Sequence, residues 1–156
     1  KTQRRVLKQN SDLECRIEKT EFTSASYTLF ERYIEARHKD GDMYPATVDQ
    51  FKSFLLSPWA NTRSLNFYLK GDLVSSAVTD IQLRSISAIY TFFEPDHSDR
   101  SLGTLSILKQ IQLASSMNLK HVYLGYWIRE SAKMDYKKNY RPNEQLIDGY
   151  WSESKK

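Results

Sequence analysis

Between residues 65 and 127 the chain reads strand, strand, strand, helix, strand, an order that leaves few folds open. Leu65 to Lys70, Leu73 to Thr79 and Ser85 to Phe92 alternate apolar and polar residues, and a Gly71-Asp72 turn separates the first two, as in an antiparallel meander. Helical spacing then runs from about Ser101 to Met117 and leads to a strand around His121 to Trp127. A strand joined through a helix to another strand of the same sheet makes a right-handed crossover, so pairing must change from antiparallel to parallel around Tyr90 and Tyr123. The expectation is an α/β (α+β) domain with a mixed, mostly antiparallel sheet flanked by helices.

Two helices precede the meander. Tyr27, Phe30 and Ile34, with Leu29 and Tyr33, fall at helical spacing over Ser26 to Lys39, and Gly41 marks the stop. Thr47 followed three residues later by Gln50 is a capping-box signature, and Phe51, Phe54 and Leu55 carry the second helix to Ser57-Pro58. With 156 residues, 40% hydrophobic and 13% aromatic, the chain has material for a core and is not a disordered tail. It lacks an apolar run near the roughly 18 residues of a membrane span, so a cytoplasmic protein with no membrane partner is expected. One cysteine, Cys15, cannot form an internal disulfide. No pair of cysteines or histidines has metal spacing, so Cys15 reads as a small hydrophobe in the first strand and no metal site is expected.

The net charge is +4, and its distribution says more than its size. Lys1, Arg4, Arg5 and Lys8 precede the first acid, Asp12, while Lys133, Lys137, Lys138 and Arg141 face only Asp135. Either cluster reads as a solvated face. The two together, flanking an aromatic strand, read as a track for phosphates. Within Tyr123 to Tyr140 the spacing predicts an aromatic strand end, Leu124 to Ile128 around Gly125, then a basic helix with Lys133 and Lys137 one turn apart. Arg100 lies in a loop entering the Ser101 helix, a weak signal for an anion at a helix N-terminus.

The wording of these blocks resembles the C-terminal domain of the aminoacyl-tRNA-protein transferases of the N-degron pathway, the arginyltransferase family with its bacterial leucyl-transferring branch. The family pattern Y-x-G-Y-[WY]-I, S-x-K-M-x-Y-K and Y-x-P is met by Tyr123, Gly125, Tyr126, Trp127, Ile128, Ser131, Lys133, Met134, Tyr136, Lys137, Tyr140 and Pro142. Arg37 to Pro45 resembles the bacterial R-H-x-D-G-D-M-Y-P phrase, and Tyr90 to Gly103 the family's Y-x-F-[FY]-[ED]-P-D followed by S-L-G. The chain opens inside the Q-R-R segment that follows the family's N-terminal cysteine-rich domain. The resemblance therefore implies a fragment: 1–156 is the C-terminal transferase domain, GNAT-like in its element order, and the metal or iron-sulfur centre belongs to the missing domain.

By the same resemblance the substrates are charged tRNA, Leu-tRNA ahead of Arg-tRNA, and proteins beginning with Asp or Glu, which pass to the downstream N-degron machinery. An aminoacyl-tRNA is already an activated ester, so transfer needs no enzyme nucleophile. An α-amino group with a pKa of about 7.7 to 8 attacks once it is held at the carbonyl. His38, Asp42, Asp80 and Tyr90 are the candidates for proton removal or amine positioning. Arg37 and Arg129 are candidates for reading the acidic first residue; Asp40, Phe92, Tyr126 and Trp127 join them as substrate-binding, the aromatics with Phe93 suiting leucine. Arg4, Arg5, Lys8, Arg100, Lys133 and Lys137 are the tRNA-binding candidates. Asp40 and Asp42 also read as plain turn chemistry around Gly41. A CoA-dependent GNAT-type N-acyltransferase, or a non-catalytic tRNA- or degron-binding fragment, are the competing functions.

Overall fold

A computed structural model describes residues 2–128, 130–131 and 134–153. Their contacts divide the chain into two compact units, Lys1–Tyr123 and Leu124–Lys156.

The first unit runs α1 (Thr2–Gln9), β1 (Glu14–Lys19), α2 (Ser24–Arg37), α3 (Val48–Leu55), β2 (Thr62–Leu69), β3 (Asp72–Ile81), β4 (Ser85–Phe93), a 3₁₀ helix over Pro95–Arg100, α4 (Leu102–Ser116) and β5 (His121–Tyr123). The strands form one sheet in the order β1-β2-β3-β4-β5. Pairing is antiparallel from β1 to β4 and parallel between β4 and β5, as the crossover requires. The parallel contact joins Ser85–Ser87 to His121–Tyr123, at the start of β4 and not at Tyr90. Pairing with β5 therefore stops before Ala88. The turn between β2 and β3 is Lys70-Gly71, one residue earlier than expected; both residues have positive φ, 52° and 98°, as a two-residue hairpin loop requires.

Both helices on the first face start at reciprocal caps. The Gln50 N–H donates to Thr47 Oγ1 at 3.1 Å while Thr47 N–H donates to Gln50 Oε1 at 3.0 Å, so the expected capping box is present. A second one, between Thr23 and Ser26, opens α2 with a serine where the usual pattern has Glu or Gln. From these helices Leu29, Phe30, Ile34, Phe51 and Leu55 pack with Val78 and Phe92 into the core. Each such side chain, fully buried, contributes roughly 1.5 to 3 kcal/mol. The next residue of β3 points the other way: Thr79 Oγ1 accepts a 2.7 Å hydrogen bond from the buried amide of Gln110 on α4. The sheet is therefore sandwiched between α2 with α3 on one face and α4 on the other.

Two bulges break the ladders. Val74 is extra where β3 meets β2, and Ile89 is extra where β4 meets β3, since Val78 pairs with Tyr90 and Thr79 with Ala88. A bulge bends a strand and re-aims the side chains beyond it. Here both Ile89 and Tyr90 pack on the α2–α3 cluster.

The second unit departs from the sequence reading. Leu124–Ile128 is not a strand: β5 ends at Tyr123, and Gly125 turns the backbone at φ 76°. The basic helix is a 3₁₀ helix of five residues, Asp135–Asn139. The Lys137 ammonium donates to the Tyr126 carbonyl, closing this stretch as a loop. A hairpin of β6 (Glu144–Ile147) and β7 (Tyr150–Glu153), turned at Asp148-Gly149, follows.

Candidate functional site

On the first unit the predicted residues converge where α2 ends beside β4. Tyr33 is the hub: its ring centroid lies 5.4 Å from His38, 6.2 Å from Tyr90 and 4.9 Å from Phe93. The Arg37 guanidinium sits over the Phe93 ring at 5.4 Å. Arg32, five residues before, donates to Glu94 at 2.7 Å and Asp96 at 3.2 Å and so ties α2 to the end of β4. These contacts bring Arg37, His38 and Tyr90 into one wall.

Tyr90 is the chemically distinctive member. Its ring touches those of Phe30, Phe54 and Phe92, and among the described residues its hydroxyl is buried without a hydrogen-bond partner. Burial pushes the phenol far above its ordinary range. It is therefore a hydrogen-bond donor at cellular pH and not a base. An unsatisfied buried hydroxyl costs roughly 1 to 3 kcal/mol, which a fold built for stability alone would avoid.

The other predicted residues are placed as follows. Asp80 stands on β3 on the same face as Val78, the cross-strand partner of Tyr90, and accepts from Thr62 Oγ1 at 2.6 Å. Asp40 and Asp42 are exposed in turns after α2, where Gly41 N–H donates to the His38 carbonyl at 3.0 Å. Phe92 belongs to the core at 1% exposure, so its role is to shape a wall and not to present an open ring. Arg4, Arg5 and Lys8 project from α1 while Val6 is buried. Arg100 is half-buried with its guanidinium bound to Asp12 at 2.9 and 3.0 Å, so the fork expected to take a phosphate is filled from within. Ser101, its neighbour, caps α4 in the left-handed conformation without a side-chain hydrogen bond.

In the second unit Tyr126 is 90% exposed, and the half-buried Trp127 has an indole N–H without a partner among the described residues. Burial lowers the affinity of Lys137 for its proton. Arg129 and Lys133 lie outside the described residues. Cys15 is half-buried on β1, burial pushes its thiol up, and no three His, Cys, Asp or Glu among the described residues are grouped to hold a metal.

A cleft of about 320 Å³ escaped the sequence reading. It arises because α2 and α3 cover β3 and β4 but leave the β1–β2 half of the same sheet face open. That half is polar. The Glu18 carboxylate accepts from Asn66 Nδ2 at 2.6 Å and from Tyr68 Oη at 2.9 Å, and Thr20 and Ser64 share a 2.9 Å hydrogen bond. Phe51, Leu73, Val78 and Phe92 make the apolar side of the cleft. The signal in the sequence was the run of polar residues at alternate positions, Glu14-Arg16-Glu18 and Ser64-Asn66-Tyr68, on strands whose other face is apolar at Leu65 and Phe67.

The pattern of this chain has counterparts. A family profile described as "Arginine-tRNA-protein transferase, C terminus" matches residues 25–147, more than three quarters of the chain. The chain belongs to this family. Among curated relatives, an aspartate/glutamate leucyltransferase of Marinobacter nauticus is 46% identical over 153 residues, 98% of this chain and 65% of the relative. One of Hahella chejuensis is 46% identical over 97% of this chain and 64% of its own length. The chain thus spans just under two thirds of the relatives it matches. Among solved structures, the ribosomal-protein-S18-alanine N-acetyltransferase of Escherichia coli superposes with a TM-score of 0.59 at 16% identity, covering 85% of this chain and 79% of that one. A ribosomal-protein-alanine N-acetyltransferase of Brucella melitensis gives 0.57 at 15% identity over 87% and 93%. This likeness places the family domain in the GNAT-like fold expected from the element order. No helix among the described residues is long and apolar enough to cross a membrane.

Proposed function

We propose that this chain carries the transfer domain of an aminoacyl-tRNA-protein transferase that moves leucine from charged tRNA to proteins beginning with Asp or Glu. The observation that carries the reading is its 46% identity, over nearly its whole length, to aspartate/glutamate leucyltransferases. Leucine is preferred over arginine as the donor because the concave surfaces of the first unit are floored by Phe51, Leu73, Val78 and Phe92. Leucine's aliphatic side chain brings no charge that this floor would have to pair.

The chemistry asks little of the protein beyond geometry. The neutral α-amine of the acceptor attacks the ester carbonyl, a C–N bond forms, the ester C–O bond breaks, and the amine's proton ends on the leaving tRNA oxygen. A buried, protonated phenol such as Tyr90 suits the developing oxyanion as a donor, and does not suit proton removal from the amine. His38 is the residue of this wall that could relay the proton, while Asp80 is held by Thr62 farther along β3, and Arg37 is the exposed cation beside the wall that pairs an acidic first residue. The reaction belongs in the cytoplasm with charged tRNA, and its product, a protein with N-terminal leucine, is a substrate for the degradation machinery of the N-degron pathway.

The test is incubation of the chain with leucyl-tRNA and an Asp-starting peptide, with and without the part of the full-length relatives that this chain does not span, following peptide mass. A leucine-sized gain is expected. Modification from acetyl-CoA without tRNA would establish the acyltransferase reading, and binding without turnover the non-catalytic one.

A further inference from the structure

We infer that the Glu18 cleft is the seat of the donor's aminoacyl group, Glu18 holding its α-ammonium and the Val78–Phe92 end its branched side chain. This inference rests on the leucyl-transfer reading and adds the residues that recognise the donor.

A sheet face that packs under helices is apolar, yet Glu18, Ser64, Asn66, Tyr68 and Ser76 all line the open part of this one. Glu18 is not a solvated surface acid. Two side-chain donors from β2 hold its carboxylate, which leaves lone pairs for a further donor. Such fixed orientation is what a recognition site needs and what a surface acid lacks.

Dimensions and chemistry narrow the ligand. The volume lies at the lower end of the range for small-molecule sites, roughly 300 to 1,000 Å³. Glu18 on β1 and Val78 on β3 are two strand spacings apart, about 10 Å across the sheet. A ligand that meets both ends carries a cation at one end and a short aliphatic group at the other, as a leucyl ester does. An aspartyl N-terminus has the same ammonium, but a carboxylate at the apolar end would face Phe51, Val78 and Phe92, and Lys19, the cation of the same lining, is already paired with Glu21 at 3.4 Å. The donor therefore fits and the acceptor does not. The position also suits the reaction, because Val78 is the cross-strand partner of Tyr90 and the Phe92 ring is 6.4 Å from that of Tyr90.

Leucinamide, which keeps the ammonium and replaces the ester by an amide, is the probe for the donor; 4-methylpentanamide lacks the ammonium, and an Asp-starting peptide amide stands for the acceptor. Calorimetric titration of the whole chain is expected to show leucinamide binding that weakens by roughly 10- to 100-fold in Glu18→Gln, the worth of one charge-assisted hydrogen bond. Binding of 4-methylpentanamide should be weak and equal in both proteins. Ala25→Leu, an exposed substitution at the cleft mouth, should weaken leucinamide without lowering the melting temperature. Leucinamide affinity unchanged in both variants would overturn the assignment, as would a loss confined to the aspartyl peptide. Leucyl transfer measured in the same samples separates the two readings. Transfer that proceeds while Glu18→Gln binds leucinamide normally sinks the cleft alone; Glu18-dependent leucinamide binding in a chain that transfers nothing supports the cleft and sinks the transferase reading.

Discussion

Arg100 donates two nitrogens to the two carboxylate oxygens of Asp12, at 2.9 and 3.0 Å, and so clamps the segment between α1 and β1 to the loop that enters α4. Asn10 and Gln9 reinforce the clamp by donating to the Arg100 and Asp99 carbonyls at 2.9 and 3.2 Å. The guanidinium holds the Asp12 carboxyl below the usual carboxylate range. A depressed carboxylate stabilises the fold above its unfolded pKa, about 3.9, and that stability is lost as pH falls through the lower folded value. Arg100→Gln should therefore lower the melting temperature at pH 7, and the gap to wild type should close as the melts are taken below about pH 4. A gap independent of pH would mean that packing, not the pair, supplies the effect.

Because that fork is occupied, Arg100 and the cations of α1 should separate in a salt titration of charged-tRNA binding. Replacing Arg4, Arg5 and Lys8 by Ala, all exposed on α1, should reduce the slope of log affinity against log salt by roughly 0.7 to 0.9 for each phosphate that is no longer neutralised. Arg100→Gln should leave the slope near that of wild type. Equal slopes for wild type and the triple variant would remove α1 from the tRNA path.

Tyr90→Phe deletes a buried hydroxyl without a partner among the described residues. Stability should hold or rise, since an unsatisfied group worth roughly 1 to 3 kcal/mol of penalty disappears. Leucyl transfer should fall by about 10- to 1,000-fold if the phenol supports the oxyanion, as loss of such a donor does elsewhere. Burial keeps the phenol protonated, so this loss should be the same across pH 6 to 9, a range chosen as roughly that of ordinary assays. A variant that is destabilised and fully active would make Tyr90 a structural residue only.

Thr47→Ala removes the acceptor that the Gln50 N–H uses at the start of α3. The cost should be about 1 kcal/mol. In a chain of this size that is a fall of roughly 2 to 4 °C in melting temperature. Thr23→Ala should behave alike at the start of α2, where Ser26 completes the cap.

Local patterns carried most of the fold. The Thr47–Gln50 cap, the apolar spacing of α2 and the period-two strands rest on interactions between residues a few positions apart, and the helix joining β4 to β5 makes their pairing parallel once the two strands are neighbours. The residues from Tyr123 to Tyr140 misled for the same local reason. Alternation imitates a strand over Leu124 to Ile128, whereas one positive-φ glycine and the bond from Lys137 to the Tyr126 carbonyl make a loop there.

The candidate site divides along the same line. Blocks of wording in the sequence identified the family and marked Arg37, His38 and Tyr90, but the contacts of Tyr33 with Tyr90 and Phe93 join α2 to β4 across nearly sixty residues of chain, which only packing decides. Tertiary structure alone put Asp12 on Arg100, sent Phe92 into the core, and left half a sheet face uncovered by its helices, so that Glu18, Asn66 and Tyr68 from two strands meet over Val78 from a third. Sequence records the periodicity of each strand; which strands lie side by side, and where a helix stops covering them, is set by how apolar faces share a core of finite width.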